Sequence, residues 1–147
     1  MTHFERLGVP ARFDLDPGDL ERAFLAASRA VHPDHHAGGH NDAAAVNAAY
    51  HALRDPLRRA EYVLAERGGP AVGQGPPQDP AFLMEVMDLR ERLETDQTTV
   101  VAELSDRLSR LSNDLANRFA ASDLPNVRRL LDTGRTLTSL LREAEAD

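Results

Sequence analysis

The sequence contains no cysteine and no tryptophan, and its other aromatic side chains are five phenylalanines and two tyrosines. Without cysteine, disulfides, thiolate metal sites, iron–sulfur ligation by this chain and cysteine nucleophiles are excluded. The scarcity of aromatic residues favours helices over sheet. No apolar run approaches the roughly 18 residues of a membrane span, and the N-terminal MTHFERLG lacks the pattern of a signal peptide. We therefore expect a cytoplasmic protein without a membrane partner.

Basic residues are also fewer than acidic ones, which gives the chain a formal net charge of −7. A negatively charged surface repels phosphates, and no local basic patch stands out, so we expect no nucleic-acid partner. The length of 147 residues allows one ordinary domain or two small ones.

The clearest break in composition is the stretch GGPAVGQGPPQDP at residues 68–80, which interrupts every periodic apolar pattern. Glycine and proline in this density are typical of a linker. We place the linker at residues 69–79, between one unit at 1–68 and a second at 80–147.

Helix signals in the first unit predict a helical hairpin with short flanking helices. Asp16 and Pro17 mark the start of one helix, and Pro33 ends it. Its apolar stripe consists of Leu20, Phe24, Ala27 and Val31. The next helix has Val46, Ala49, Tyr50 and Leu53 on one face, and a further helix after Pro56 carries Leu57, Ala60, Tyr62 and Leu64.

Three amphipathic helices are predicted in the second unit. Their apolar positions are Phe82, Val86, Leu89 and Leu93 in the first, Val101, Leu104, Leu108, Leu111, Leu115 and Phe119 in the second, and Val127, Leu131, Leu137 and Leu141 in the third. Asp79 and Asp123 are expected helix starts, and ETDQTT marks the first turn. An all-α protein with a C-terminal three-helix antiparallel bundle follows.

Four of the six histidines lie in AVHPDHHAGGH at residues 30–40, which raises the possibility of a metal site. His32, His35, His36 and His40 are capable zinc ligands, but they lack a helical H-E-x-x-H or a comparable partner motif. We therefore expect no metal, no cofactor and no catalytic residue. The alternative interpretation takes His32, Pro33 and Asp34 together as a rigid polar tip that offers a charged acceptor to a partner's arginine.

The residues around this tip resemble a J domain. HPD at 32–34 follows one helix of a hairpin, and NAAYHALRDPLRRAEYVL at 47–64 is similar to the third and fourth J-domain helices. HFERLGVPARFDLD near the start is similar to the first helix and its connection. The ending RAEYVL, followed after a linker by AFLMEVMDLRERLE, resembles the HscB family of co-chaperones in iron–sulfur cluster assembly.

This resemblance implies two partners. His32, Pro33 and Asp34, with Arg22 and Arg29 on the preceding helix, would bind a DnaK-type or HscA-like chaperone and stimulate its ATP hydrolysis. The first helix of the bundle would bind an IscU-type scaffold through Leu83, Met84, Met87, Asp88, Arg90 and Glu91. The chain would be a regulator of its partner's ATPase and not an enzyme.

The apolar pattern of the bundle's first helix agrees with this assignment, since Leu83, Met84 and Met87 are left over once its core stripe is filled. Methionine suits a surface that adapts to a partner. The alternative is a wider core stripe, with Leu83 or Met87 packed on the third helix.

Three other functions remain open from the sequence. The chain could be a general J-domain co-chaperone for other clients, a histidine-loop metal-binding protein, or a helical interaction protein without a chaperone partner. The helix before HPD has only Arg22 and Arg29 against Asp19 and Glu21, and His35 stands where J domains usually carry lysine. This predicts weak electrostatic attraction to a chaperone.

Overall fold

The computed structural model describes residues 1–32, the backbone of residues 39 and 40, and residues 41–146. These residues form seven helices and, within those ranges, no strand. They divide into two units, Met1–Glu66 and Arg67–Asp147. The all-α prediction is confirmed.

Four helices make up the first unit: α1 (His3–Leu7), α2 (Pro17–Ala30), α3 (Gly39–Arg54) and α4 (Pro56–Glu66). Thr2 and Glu5 cap α1 reciprocally, each side chain bonding the other's backbone N–H. As predicted, Asp16 precedes α2 and Pro17 begins it, although the Asp16 side chain makes no capping hydrogen bond. The helix ends at Ala30, before the HPD sequence.

The hairpin of α2 and α3 packs through an aromatic pair in which the Phe24 ring stacks on Tyr50, with centroids 4.2 Å apart. Phe4 and Phe13 are also buried in the core of this unit, together with aliphatic side chains. Helix α4 differs from its predicted face. Tyr62 is exposed and Val63 is fully buried. The apolar pattern of α4 did not show which of Tyr62 and Val63 faces the core. Tyr62 is the exposed one of the two, and it carries the polar hydroxyl.

Arg59 is the one residue of α4 whose burial contradicts its type, because it is only 9% exposed. Its Nε donates to the Phe13 carbonyl and its Nη1 to the Leu53 carbonyl, each at 2.8 Å. The guanidinium also lies 5.0 Å from the Phe13 ring centroid. Burial lowers the pKa of Arg59, and nearby Asp55 and Asp14 act in the opposite direction. One side chain thus joins α3, α4 and the segment between α1 and α2.

Replacing Arg59 by methionine is expected to destabilise the first unit by about 2–4 kcal/mol, since two buried carbonyls lose their donor. Urea denaturation followed by tyrosine fluorescence measures this unit alone, because Tyr50 and Tyr62 are the only two tyrosines. The neighbouring exposed Arg58 provides the control, and Arg58→Met is expected to change stability by less than about 0.5 kcal/mol. Equal effects of the two variants would contradict the structural role of Arg59.

The second unit contains α5 (Pro80–Leu93), α6 (Gln97–Ala120) and α7 (Leu124–Glu145). The predicted starts are confirmed, since Asp79 accepts a hydrogen bond from Ala81 N at 2.9 Å and Asp123 one from Asn126 N at 3.4 Å.

A core cluster joins all three helices and comprises Phe82, Val86, Leu89, Val100, Leu104, Leu137 and Leu140. The sequence predicted Val101 and Leu141 as core residues, but the structure buries Val100 fully and Leu140 more deeply than Leu141. Neighbouring apolar residues differ by only 100° around a helix, so packing decides between them.

Residues 67–79 belong to the second unit in the structure. Arg67 Nη1 donates to the Phe119 carbonyl at 3.2 Å. Gln78 Nε2 donates to the Arg129 carbonyl at 2.9 Å, and the Thr133 hydroxyl donates to Gln78 Oε1 at 2.9 Å. Contacts of Arg67, just before the predicted linker, and of Gln78, near its end, therefore attach this part of the chain to the bundle. The division 1–68, 69–79 and 80–147 stays a prediction.

Gly75 lies so close to α7 that a Cβ atom there would meet Arg128 Cγ at 2.7 Å. Arg128 has little freedom to move, because it is 2% exposed and its Nε donates to Asp132 at 3.1 Å. Gly75→Ala is expected to destabilise the second unit by about 1–3 kcal/mol through overpacking. Chemical denaturation followed by circular dichroism would measure this, with Ala71→Ser in the same segment as a control. An unchanged unfolding midpoint for Gly75→Ala would show that the segment is not held against α7.

None of the helices in the described part of the chain is long and apolar enough to cross a membrane.

Candidate interaction surfaces

Three of the five residues predicted to bind a chaperone lie on α2 or shortly after its end. Arg22 and Arg29 are exposed on the helix, and Arg22 is ion-paired with Asp19 one turn earlier. His32 is also exposed, and its backbone N–H donates to the Arg29 carbonyl at 3.4 Å. Pro33 and Asp34 lie outside the described residues. The structure therefore brings Arg29 and His32 together at the helix end and does not test the roles of the five residues.

Metal binding by the histidine stretch is not tested as a whole, because His35, His36 and the side chain of His40 lie outside the described residues. Among the residues that the structure does describe, no group of three or more histidine, aspartate or glutamate side chains could hold a metal ion.

The second surface is an apolar patch on α5, formed by Leu83, Met84 and Met87. Their side chains are 55%, 68% and 66% exposed. The buried face of the same helix consists of Phe82, Val86 and Leu89. The alternative in which Leu83 or Met87 packs on the third helix is therefore wrong. Three large apolar side chains grouped on one exposed helix face are typical of a protein-binding surface.

Charged residues surround the α5 patch. Asp88 pairs with Arg92 at 3.6 Å, and Arg90 pairs with Glu143 of α7 at 3.5 Å. Glu91 is exposed. These residues supply the polar rim that protein interfaces usually have around an apolar centre. All six predicted scaffold-binding residues thus lie on α5, although their role as binding residues is not tested.

Arg92 is a member of this rim that the sequence analysis missed. Its Nη1 and Nη2 donate to both carboxylate oxygens of Glu103 on α6, at 3.0 and 2.7 Å. These hydrogen bonds raise the pKa of Arg92 and lower the pKa of Glu103. The i, i+4 spacing from Asp88 was a visible signal, but the contact with Glu103 requires the fold.

Ion pairs hold α5 in place on the bundle. Glu85 pairs with Arg107 and Arg92 with Glu103, both on α6, while Arg90 reaches α7. Exposed ion pairs contribute little stability individually. Together with the core cluster, however, they fix the rotation of α5, so the apolar patch is presented on a preorganised helix.

Comparisons with known proteins agree along the chain. Residues 78–145 match the family model described as the HSCB C-terminal oligomerisation domain. The co-chaperone protein HscB homolog of Vibrio campbellii is 38% identical over 145 residues, covering 91% of this chain and 82% of that protein. The homolog of Bordetella petrii is 42% identical over 118 residues, covering 73% of this chain and 69% of that protein.

Solved structures show the same architecture. Chaperone HscB from Vibrio cholerae superimposes with a TM-score of 0.81 at 31% identity, covering 99% of this chain and 96% of that one. Human co-chaperone HscB gives a TM-score of 0.85 at 20% identity, covering 99% and 81%, which supports the fold alone.

The fold and these matches define a co-chaperone built from an N-terminal J domain and a C-terminal helical bundle. The predicted fold class is therefore confirmed in both units. The chain belongs to the HscB family of co-chaperones.

Proposed function

We propose that this protein binds an IscU-type iron–sulfur scaffold through its second unit and stimulates ATP hydrolysis by a DnaK-type, HscA-like chaperone through its J domain. Hydrolysis takes place in the chaperone, and the cluster is cargo of the scaffold. The chain's own residues bind and position, and none acts as a catalytic residue. Membership of the HscB family supports the proposal as a whole.

The observation that carries the scaffold part of the proposal is the exposure of Leu83, Met84 and Met87 on α5. Fully burying a leucine or methionine side chain contributes about 1.5–3 kcal/mol. The gain here is smaller because each side chain is already partly covered, and association has its own entropic cost. A patch of this size is sufficient for the centre of an interface, while Asp88, Arg90 and Glu91 at the rim set orientation and specificity.

The two proposed binding surfaces, one in each unit, support a tethering mechanism. A scaffold held on α5 and a chaperone held at the end of α2 are linked through the same molecule. The second binding event then becomes intramolecular, which raises the effective concentration of the scaffold near the chaperone. Stimulation of hydrolysis is expected to be largest when both partners are present.

The test is steady-state ATP hydrolysis by the organism's DnaK-type chaperone, measured with and without this protein and with and without an IscU-type scaffold. We expect stimulation by this protein that requires the scaffold for its full extent. Stimulation that is independent of the scaffold would indicate a general J-domain co-chaperone for other clients. No stimulation under any combination would refute the chaperone part of the proposal.

A further inference from the structure

A cleft in the second unit is lined by residues of α6 and α7 and by the start of α5. Its volume is about 510 Å³, which is a usual size for a small-molecule site. A second cleft of about 400 Å³ continues from it, since Asp114, Arg129 and Leu130 line both. The α5 patch of Leu83, Met84 and Met87 contributes to neither cleft, so the two surfaces are separate.

The walls of these clefts are richer in positive charge than the rest of the chain. They carry four arginines and two aspartates, namely Arg107, Arg110, Arg118 and Arg129 with Asp79 and Asp114. The whole chain has 17 basic and 24 acidic residues, leaving histidine aside. An excess of guanidinium groups attracts anions locally, although the protein as a whole repels them.

Arg129 is the arginine of this group that is available to a ligand. The other three have carboxylate partners outside the cleft walls, in the pairs Arg107–Glu85, Arg110–Asp106 and Arg118–Asp123. Arg129 forms no ion pair with a described residue. Within the described part of the chain, its Nε is the one buried side-chain nitrogen or oxygen without a hydrogen-bond partner. A buried donor without an acceptor is unfavourable, and an oxyanion bound to the guanidinium supplies that acceptor. The residue is only half-buried, so its side chain can turn towards the cleft.

Apolar side chains also line the larger cleft. Phe82, Leu111 and Leu137 are buried residues of the bundle that border it. A ligand that covers them removes apolar surface from water, which is favourable whatever its charge. Asp79 and Asp114 disfavour a ligand with several negative groups. The cleft therefore suits a compound with one anionic group on an apolar body.

We propose that this cleft binds a small organic anion, with Arg129 donating to its phosphate or carboxylate group and Phe82 and Leu111 contacting its apolar body. A guanidinium forms two parallel hydrogen bonds to either kind of group. The site does not depend on the proposed function, because it uses neither the α5 patch nor the residues around HPD. The protein then has a small-molecule ligand in addition to its two proposed protein partners.

The test is titration of the full chain with phenyl phosphate, followed by proton–nitrogen NMR of the Arg129 Nε–H and of the amides of α6 and α7. We expect these signals to shift together with a Kd on the order of 1 mM. Inorganic phosphate and phenol each keep only part of the contacts, so they are expected to bind at least about tenfold more weakly. Benzoate in place of phenyl phosphate distinguishes a carboxylate ligand from a phosphate ligand.

Variants at Arg129 identify the group that holds the anion. Arg129→Gln is expected to raise the Kd about tenfold or more. Arg129→Lys keeps the charge but loses the paired donors, and it is expected to raise the Kd about threefold or more. The matched control is Arg142→Gln, which removes the same charge from an exposed position of α7 outside the cleft and is expected to change the Kd less than about twofold. Circular dichroism melts check that all three variants remain folded.

Three results would overturn the inference. Equal weakening by Arg129→Gln and Arg142→Gln would mean that the anion responds only to overall charge. Binding of phenol or inorganic phosphate as tight as that of phenyl phosphate would mean that one part of the site is unused. The third is the absence of saturation by phenyl phosphate and benzoate up to ~20 mM. None of these results bears on the proposed function, which the chaperone's ATPase measures separately.

Discussion

Replacing Asp34 by asparagine is expected to bring the chaperone's ATPase down to near its unstimulated rate while leaving scaffold binding unchanged. Asparagine keeps the shape of aspartate but removes its charge, so a hydrogen bond to a partner's arginine loses its ionic character. Hydrogen bonds to charged groups contribute about 1.5–3 kcal/mol, which corresponds to ~10- to 150-fold. Pro33 beside it restricts the backbone, so no neighbouring group is expected to replace the lost acceptor.

The measurement for Asp34→Asn is ATP hydrolysis at saturating chaperone and scaffold, with scaffold binding by calorimetry on the same preparation. Asp19→Asn is the matched control, because it removes one exposed carboxylate from α2 without touching the HPD sequence. It is expected to retain stimulation, since it frees Arg22 from its ion pair. Full stimulation by Asp34→Asn would mean that HPD serves only as a turn in this chain.

Replacing Met87 by glutamate is expected to weaken scaffold binding by about 100-fold or more without unfolding the bundle. The variant loses apolar burial and places an unpaired carboxylate at the centre of the α5 patch, where desolvation is unfavourable. Met87 is 66% exposed in the free protein, so its replacement disturbs no core contact. Leu83→Glu, one helical turn earlier, is expected to have a similar effect.

Calorimetric titration of an IscU-type scaffold measures this loss directly. Ser109→Glu adds the same charge at an exposed position of α6 outside the patch and is expected to leave the affinity within about twofold. Comparing Met87→Glu with Ser109→Glu separates the loss of a local contact from the effect of one more negative charge on a protein whose net charge is already −7. Tight binding by both Met87→Glu and Leu83→Glu would place the scaffold elsewhere on the chain.

Local signals in the sequence were sufficient for most of the helices. Asp79 and Asp123 cap α5 and α7 because a short carboxylate side chain reaches the free N–H groups of the first turn. The apolar periodicity of α6 predicted Leu104, Leu111, Leu115 and Phe119, all of which are buried. The family resemblance on HPD and its flanks identified the J domain, which no periodic pattern distinguishes from other helical hairpins.

The sequence left the orientation of α5 open. Its apolar residues outnumber the positions that a single core stripe can hold, so pattern alone was equally compatible with Leu83 and Met87 in the core. The structure decides this through the neighbours of the helix, since Phe82, Val86 and Leu89 fill the space facing α6 and α7. Ion pairs of Glu85 and Arg92 with α6 hold that rotation.

By itself, the sequence determined the helix starts, the two-part organisation and the family, because these depend on residues close together along the chain. Tertiary structure alone decided the contacts between distant residues. Arg59 finds its acceptor at Phe13, 46 residues earlier, and Gln78 meets Thr133, 55 residues later. Composition predicted a linker at 69–79 because glycine and proline are common in flexible chains, but those residues also allow the close approach of Gly75 to Arg128. Only the packing of Gly75 against α7 shows that the fold uses this glycine for a close approach and not for flexibility.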